Sequence, residues 1–170
     1  MKRKAATSLA AVLMAAGGIA AAAPPAAAPS PGDAAAPLWA RQCAKEPDGR
    51  EQCFVEQYAV AMPAGTVLLN VRFSSTGPEG GARMVLTAPL GVLVPPGLSV
   101  SIDKGKPITL PFDRCDGGGC WSAVEIDRPA LDQFRRGSGM IVRFSTGDRK
   151  TVDVPIALAG LDAALKQLAH

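Results

Sequence analysis

Val67-Leu68-Leu69-Asn70-Val71-Arg72-Phe73-Ser74 is the stretch that decides the fold. Val67, Leu69, Val71 and Phe73 alternate with Leu68, Asn70, Arg72 and Ser74. Successive side chains of an extended strand point to opposite faces, so this period puts one row in a core and the other outside it. The pattern recurs on both sides. Leu98, Val100 and Ile102 alternate with Ser99, Ser101 and Asp103. Ile108, Leu110 and Phe112 form a further set, as do Met140, Val142 and Phe144, then Val152, Val154 and Ile156. Weaker strand candidates lie at 39–43, 52–58, 83–87 and 121–126.

Turn signals separate these runs. Val94-Pro95-Pro96-Gly97 suits a type II turn, with Pro96 fixing φ and Gly97 taking a positive φ. Asp103-Lys104-Gly105-Lys106 and Thr146-Gly147-Asp148-Arg149 read as hairpin connections. Two segments leave the period. Residues 127–136 form a short helix, capped by Asp127, with Pro129 in the first turn and Gly137 as the stop. Leu158, Leu161, Leu165 and Leu168 recur at helical spacing and predict a second short helix that closes one end of the core. Seven to nine strands with short turns and one or two short helices give an all-β fold, an antiparallel β-sandwich.

The 170 residues allow one domain with a tail. Met1-Lys2-Arg3-Lys4 is a basic start, followed by about a dozen apolar residues and then small ones, the layout of a secretory signal peptide over residues 1–22. That apolar run is shorter than the roughly 20 residues a spanning helix needs, so the chain is not expected to span a membrane after cleavage. Residues 23–37 are Ala, Pro, Ser and Gly with one charge, Asp33, and read as an Ala/Pro-rich disordered linker. The folded domain is expected over 38–170, long enough for a real hydrophobic core.

Charge and composition exclude whole classes of function. The formal charge is +3, and setting aside Lys2, Arg3 and Lys4 leaves 15 basic residues against 15 acidic. A neutral domain lacks the basic footprint of a nucleic-acid binder. The single His is His170, which leaves no material for a His-based triad or a His metal site. Nucleophile elbow, Walker A, dinucleotide and zinc-protease motifs are missing. Asp113, Asp116 and Glu125 could come close around one loop, but a solvated acidic rim is the simpler reading of them. Gly117-Gly118-Gly119 could cradle an anion with its amides, though a loop that lets two cysteines meet is the plainer role. Trp39, Trp121 and Tyr58 are expected in core or disulfide packing, with an exposed Trp beside a disulfide loop as the functional alternative.

The four cysteines are Cys43, Cys53, Cys115 and Cys120. An even number behind a signal peptide reads as two disulfides. Three pairings are possible, and the local one, Cys43–Cys53 with Cys115–Cys120, is expected. Each pair brackets a polar or Gly-rich turn, and closing such a loop stabilises by roughly 2–3 kcal/mol. The C-x9-C and C-x4-C spacings suit neither a zinc ribbon nor a C-x-x-C redox pair.

From Ala88 onward the order of features is distinctive. It runs Ala88-Pro89-Leu90-Gly91-Val92-Leu93-Val94-Pro95-Pro96-Gly97, a strand, Asp103-Lys104-Gly105-Lys106, then Pro111-Phe112-Asp113-Arg114-Cys115 and Gly118-Gly119-Cys120. A short helix, a strand–turn–strand and Gly160-Leu161-Asp162-Ala163-Ala164-Leu165 follow. This resembles the invasion-associated locus B family of secreted bacterial proteins over about 130 residues from Trp39. Trp39, Cys43, Cys53 and Gln57 fit its N-terminal half more loosely. Leu161 departs from the pattern, since an aromatic is expected after Gly160.

The resemblance implies an immunoglobulin-like antiparallel β-sandwich, a periplasmic or secreted location, and paired cysteines at Cys43, Cys53, Cys115 and Cys120. It carries over no catalytic residue, cofactor or metal site. The expectation is a non-enzymatic protein that acts by binding a protein or envelope partner. The family's name makes host-cell interaction or invasion one form of that role. A periplasmic assembly or stress factor holding clients at its sheet edges is one alternative. An envelope enzyme using Asp113, Asp116 and Glu125 is the other.

Overall fold

The computed structural model describes residues 38–45 and 48–168. The expected signal peptide and Ala/Pro linker, and His170, lie outside the described residues.

Ten strands, two α-helices and a short 3-10 helix at Pro78–Gly80 are formed among the described residues. The strands are β1 (Ala40–Lys45), β2 (Glu51–Ala61), β3 (Thr66–Ser74), β4 (Ala82–Ala88), β5 (Leu98–Ile102), β6 (Ile108–Leu110), β7 (Arg114–Asp116), β8 (Gly119–Ile126), β9 (Gly139–Ser145) and β10 (Thr151–Ala157). The α-helices are α1 (Arg128–Arg136) and α2 (Leu161–Lys166). A six-stranded sheet has the order β1-β2-β3-β4-β8-β7, and a four-stranded sheet has the order β10-β9-β5-β6. Adjacent strands in both are antiparallel.

The two sheets face each other across one core, as the alternation demands. Leu69, Val71 and Phe73 of β3 are fully buried, with Met84 and Leu86 of β4 beside them. Leu98 and Val100, Met140, Val142 and Phe144, then Val154 and Ile156, supply the opposing wall. Phe73 is the hinge of the packing. Its ring meets Trp39 edge-on at 5.6 Å and Phe134 of α1 at 5.4 Å. Such tilted pairs suit the aromatic quadrupole. Trp39 Nε1 also donates to the Ala157 carbonyl at 3.1 Å, joining the start of one sheet to the end of the other.

The helices form as their caps predict. The Asp127 carboxylate accepts from the Ala130 amide at 2.9 Å, a proline occupies the first turn, and Gly137 ends α1. Leu131 and Phe134 are its buried face. Leu158, Leu161, Leu165 and Leu168 are all buried around α2, so this end of the core is closed by leucine, Leu161 included.

Four expectations change. Val67 and Ile108, expected in the core rows, are exposed at 43% and 51%, Val67 beyond the register shift between Ala59 and Val60. The strand beyond the expected seven to nine is β7, three residues whose exposed side chains give no period to read. Phe112 lies outside β6, which ends at Leu110. The Pro95-Pro96 turn is not type II. Its hydrogen bond runs from Gly97 N to Val94 O (3.0 Å), so the second central residue is Pro96, whose ring forbids a positive φ. Gly97 follows the turn at φ +68°, and a Cβ there would sit 2.3 Å from the Leu110 carbonyl oxygen.

Candidate functional site on the outward face of the six-stranded sheet

The strands that bury Leu69, Val71 and Phe73 must turn Asn70, Arg72 and Ser74 the other way. The register carries that outward row across the sheet. Tyr58, Asn70, Thr87, Trp121 and Arg114 lie opposite one another on β2, β3, β4, β8 and β7. The next row is Glu56, Arg72, Val85 and Ala123, and the one after it is Phe54, Ser74, Arg83 and Glu125. One of the two Trp and the single Tyr thus face outward on one sheet, beside an arginine in each row.

Arg72 is the centre. Its Nε lies 3.0 Å from Glu56 Oε2, and its guanidinium carbon sits 4.9 Å from the Phe54 ring centroid and 5.9 Å from that of Trp121. Arg114 approaches the same indole at 5.0 Å. Contacts of this kind are worth about 0.5–2 kcal/mol, more when water is excluded. The Trp121 Nε1 donates to Asp116 Oδ1 at 3.1 Å, which also accepts the Gly118 amide at 2.8 Å. The Gly118 amide, then the indole, then Arg114 hold the Asp116 carboxyl below its ordinary pKa. Arg83 pairs with Glu125 at the far end of β8.

The floor is unusual for a face that looks to solvent. Glu56, Asn70 and Ser74 are all buried, Asn70 to 5% exposure. Asn70 Nδ2 donates to Glu56 Oε2 at 3.2 Å, which fixes the amide orientation and turns Oδ1 away. Neither Asn70 Oδ1 nor its neighbour Thr87 Oγ1 has a protein partner, although both are out of solvent contact. An unmet buried polar atom costs about 1–3 kcal/mol. Two hollows flank the arginine, of about 460 Å³ on the Phe54 side and about 420 Å³ on the Tyr58 side, and Arg72 and Trp121 border both.

Gly119 allows this placement. It sits at φ +135°, and a Cβ there would lie 2.5 Å from the Ala88 carbonyl oxygen and 3.0 Å from Thr87 Cγ2. A larger residue would push the β7–β8 hairpin, and Trp121 with it, off β4.

The sequence-expected residues fall as follows. Cys43 pairs with Cys53 across β1–β2, and Cys115 with Cys120 across β7–β8. The two bonds therefore fasten the two edge strands of this one sheet. Cys43, Glu51 and Cys53 cluster closely, but both sulfurs are consumed in the disulfide and offer no thiolate. The amide of the Gly117–Gly119 loop that could have cradled an anion is already taken by Asp116. Asp113, Asp116 and Glu125 do not converge. Asp113 accepts the Ala123 amide at 2.7 Å, Asp116 holds Trp121, and Glu125 holds Arg83. Tyr58 and Trp121, expected in packing roles, stand on the outward face, Tyr58 at 49% exposure; only Trp39 is in the core. The signal for this face was the polar half of the alternation, Asn70, Arg72 and Ser74.

These features define a small disulfide-clamped β-sandwich with an aromatic and arginine-lined sheet face. The chain belongs to the invasion associated locus B (IalB) protein family, whose model matches residues 39–169. Among solved structures it is similar to the invasion associated protein B of Bartonella henselae. The two share 22% identity over 78% of this chain and 90% of that one, with a TM-score of 0.68. At that identity the likeness speaks for the shared fold. A comparison with curated proteins found no match.

Proposed function

We propose that this chain is an exported bacterial envelope or secreted protein that acts by binding, and that it binds with the outward face of its six-stranded sheet. The observation that carries this reading is the placement of Phe54, Tyr58, Trp121 and Arg72 together on a solvent-facing surface. Tyrosine and tryptophan bring large contact area at low entropy cost and arginine brings a planar fork of donors, and these residue types dominate binding hot spots. Export is supported by the basic and apolar start of the chain and by two disulfides, which persist in oxidising compartments. No helix among the described residues is long and apolar enough to cross a membrane. The name of the Bartonella henselae neighbour suggests contact with a host cell as one setting for such binding.

The sheet edges speak against client capture by strand addition. β6 and β7 have three residues each, β10 carries Pro155, and β1 carries Arg41 and Lys45 and is tied down by Cys43. Short, charged and proline-bearing edges are poor templates for pairing.

The test is fractionation of cells carrying the C-terminally tagged protein, followed by cross-linking in the native envelope and comparison with Trp121→Ala. Export with cross-linked partners that disappear in the variant is the expected result. A cytoplasmic protein, or a cross-linking pattern indifferent to Trp121, overturns it. Protease-accessible protein on intact cells would point to host or matrix contact; a protected pool would place the role inside the envelope.

A further inference from the structure

We propose that the outward face of the six-stranded sheet is a site for a neutral oligosaccharide, an inference that rests on the binding reading above and names its ligand class.

Charge argues against the obvious alternative for an arginine-rich groove. Arg72 is paired with Glu56, Arg83 with Glu125 and Arg114 with Asp116. Asp113 adds a further carboxylate to the wall of the larger hollow. Each guanidinium keeps free N–H groups, but the four carboxylates outnumber the three arginines, so the face offers an anionic ligand no net attraction. A neutral ligand meets a surface whose charges are already matched, and its hydroxyls can bond to both members of each pair.

The polar floor asks for hydroxyls. Asn70 Oδ1 can only accept, and Thr87 Oγ1 can both donate and accept. They are cross-strand neighbours on the sheet and lack protein partners. Adjacent sugar hydroxyls offer a donor and an acceptor at that kind of spacing. Both atoms are covered in the free protein, so binding requires a small swing of a neighbouring wall side chain. Tyr58 and Trp121 stand at either side of Asn70 and Thr87 in the same row, so aromatic rings flank the place where the apolar C–H face of a pyranose would lie.

The size fits a chain of sugars. Each hollow lies within the roughly 300–1,000 Å³ of small-molecule sites. The two meet at Arg72 and Trp121, so a ligand longer than one ring would cross the indole and occupy both.

The experiment titrates the purified, disulfide-intact exported chain with hexasaccharides of cellulose, amylose and chitin, and with oligogalacturonate as an acidic control. Tryptophan emission is the readout: Trp39 is 3% exposed, so Trp121 reports the groove. At least one neutral sugar should change the emission with a Kd of about 1 mM or tighter. Its affinity should hold when salt rises from about 0.05 M to about 0.5 M, which screens exposed charges. Tyr58→Ala and the near-isosteric Thr87→Val should each weaken it roughly tenfold at unchanged melting temperature. No response to any neutral sugar at about 10 mM, far above such a Kd, overturns the proposal. So does binding of oligogalacturonate alone that vanishes at high salt. Cross-linking of Tyr58→Ala in the envelope then separates the two readings. Lost cross-links without sugar binding leave a protein-binding face, whereas retained cross-links remove the face as well.

Discussion

Removing the Cys115–Cys120 disulfide tests how this sheet holds its functional edge. The replacement is Cys115→Ala with Cys120→Ala. The bond spans five positions in sequence, and a closed loop of about six residues is worth about 2 kcal/mol on the chain-entropy model. Cys120 is buried, so trimming its sulfur adds up to about 1 kcal/mol of lost packing. With about 2.1 cal/mol/K of unfolding entropy per residue over about 130 residues, a total of about 2–3 kcal/mol lowers the melting temperature by about 7–11 °C. A second consequence is local. β7 has three exposed residues and β8 as its strand neighbour, yet it supplies Arg114 and Asp116, both of which touch Trp121. Without the bond β7 should fray, and acrylamide should quench Trp121 more strongly well below the melting temperature. Cys43→Ala with Cys53→Ala is the control. It opens a loop of ten positions at the opposite edge, so it should cost about 3 kcal/mol while leaving Trp121 quenching as it was. A melting temperature within about 2 °C of the parent for the first variant refutes the loop-closure argument. Equal quenching in both variants refutes the claim that this disulfide holds the site.

Two further outcomes follow from the packing and the hydrogen bonds. Phe73→Ala should lose about 3–5 kcal/mol in urea unfolding, since Phe73 is fully buried between Trp39 and Phe134; a loss below about 1 kcal/mol would mean the core collapses around the gap. Asp103 is held below its ordinary pKa by the Ser138 hydroxyl, then the Gly139 and Ser138 amides, which ties the β5–β6 turn to the start of β9. A depressed folded pKa contributes stability that is complete above the unfolded value of about 3.9 and fades as pH falls through the folded one. Asp103→Asn should therefore flatten the decline of melting temperature below about pH 4, and an unchanged acid slope would refute the assignment.

The core was legible because alternation has one consequence that local sequence controls. Leu69, Val71 and Phe73 had to share a face, and whichever face it was became the inside. The site was not legible for a matching reason. Alternation says that Asn70, Arg72 and Ser74 look outward, but not which strands lie beside them. β4 pairs with β8, distant in sequence, and that one pairing brings Trp121 opposite Thr87 and within reach of Arg72. β7 was invisible because its side chains are all exposed and carry no period. The local cysteine pairs could be proposed from loop length; that they clamp both edges of one sheet depends on strand order, which spacing does not encode.

A sheet face that served only to meet water would have little reason to bury Glu56 and Asn70. Burial of an ion pair costs desolvation that its own attraction repays only with good geometry and additional hydrogen bonds. Here Glu56 receives both Arg72 and Asn70 on one oxygen, and Arg72 in turn lies against two aromatic rings. Those contacts offset the cost for Glu56. They leave Asn70 Oδ1 and Thr87 Oγ1 unmet in the same row. Sequences usually agree with their folds at every level, and the places where a local rule is broken are where function tends to lie. On the inward side of the same sheet Gln57 Oε1 and Ser122 Oγ are also buried without a protein partner, but there they face the core and no ligand can reach them. The outward break falls between Tyr58 and Trp121, where a ligand hydroxyl would satisfy what the protein does not.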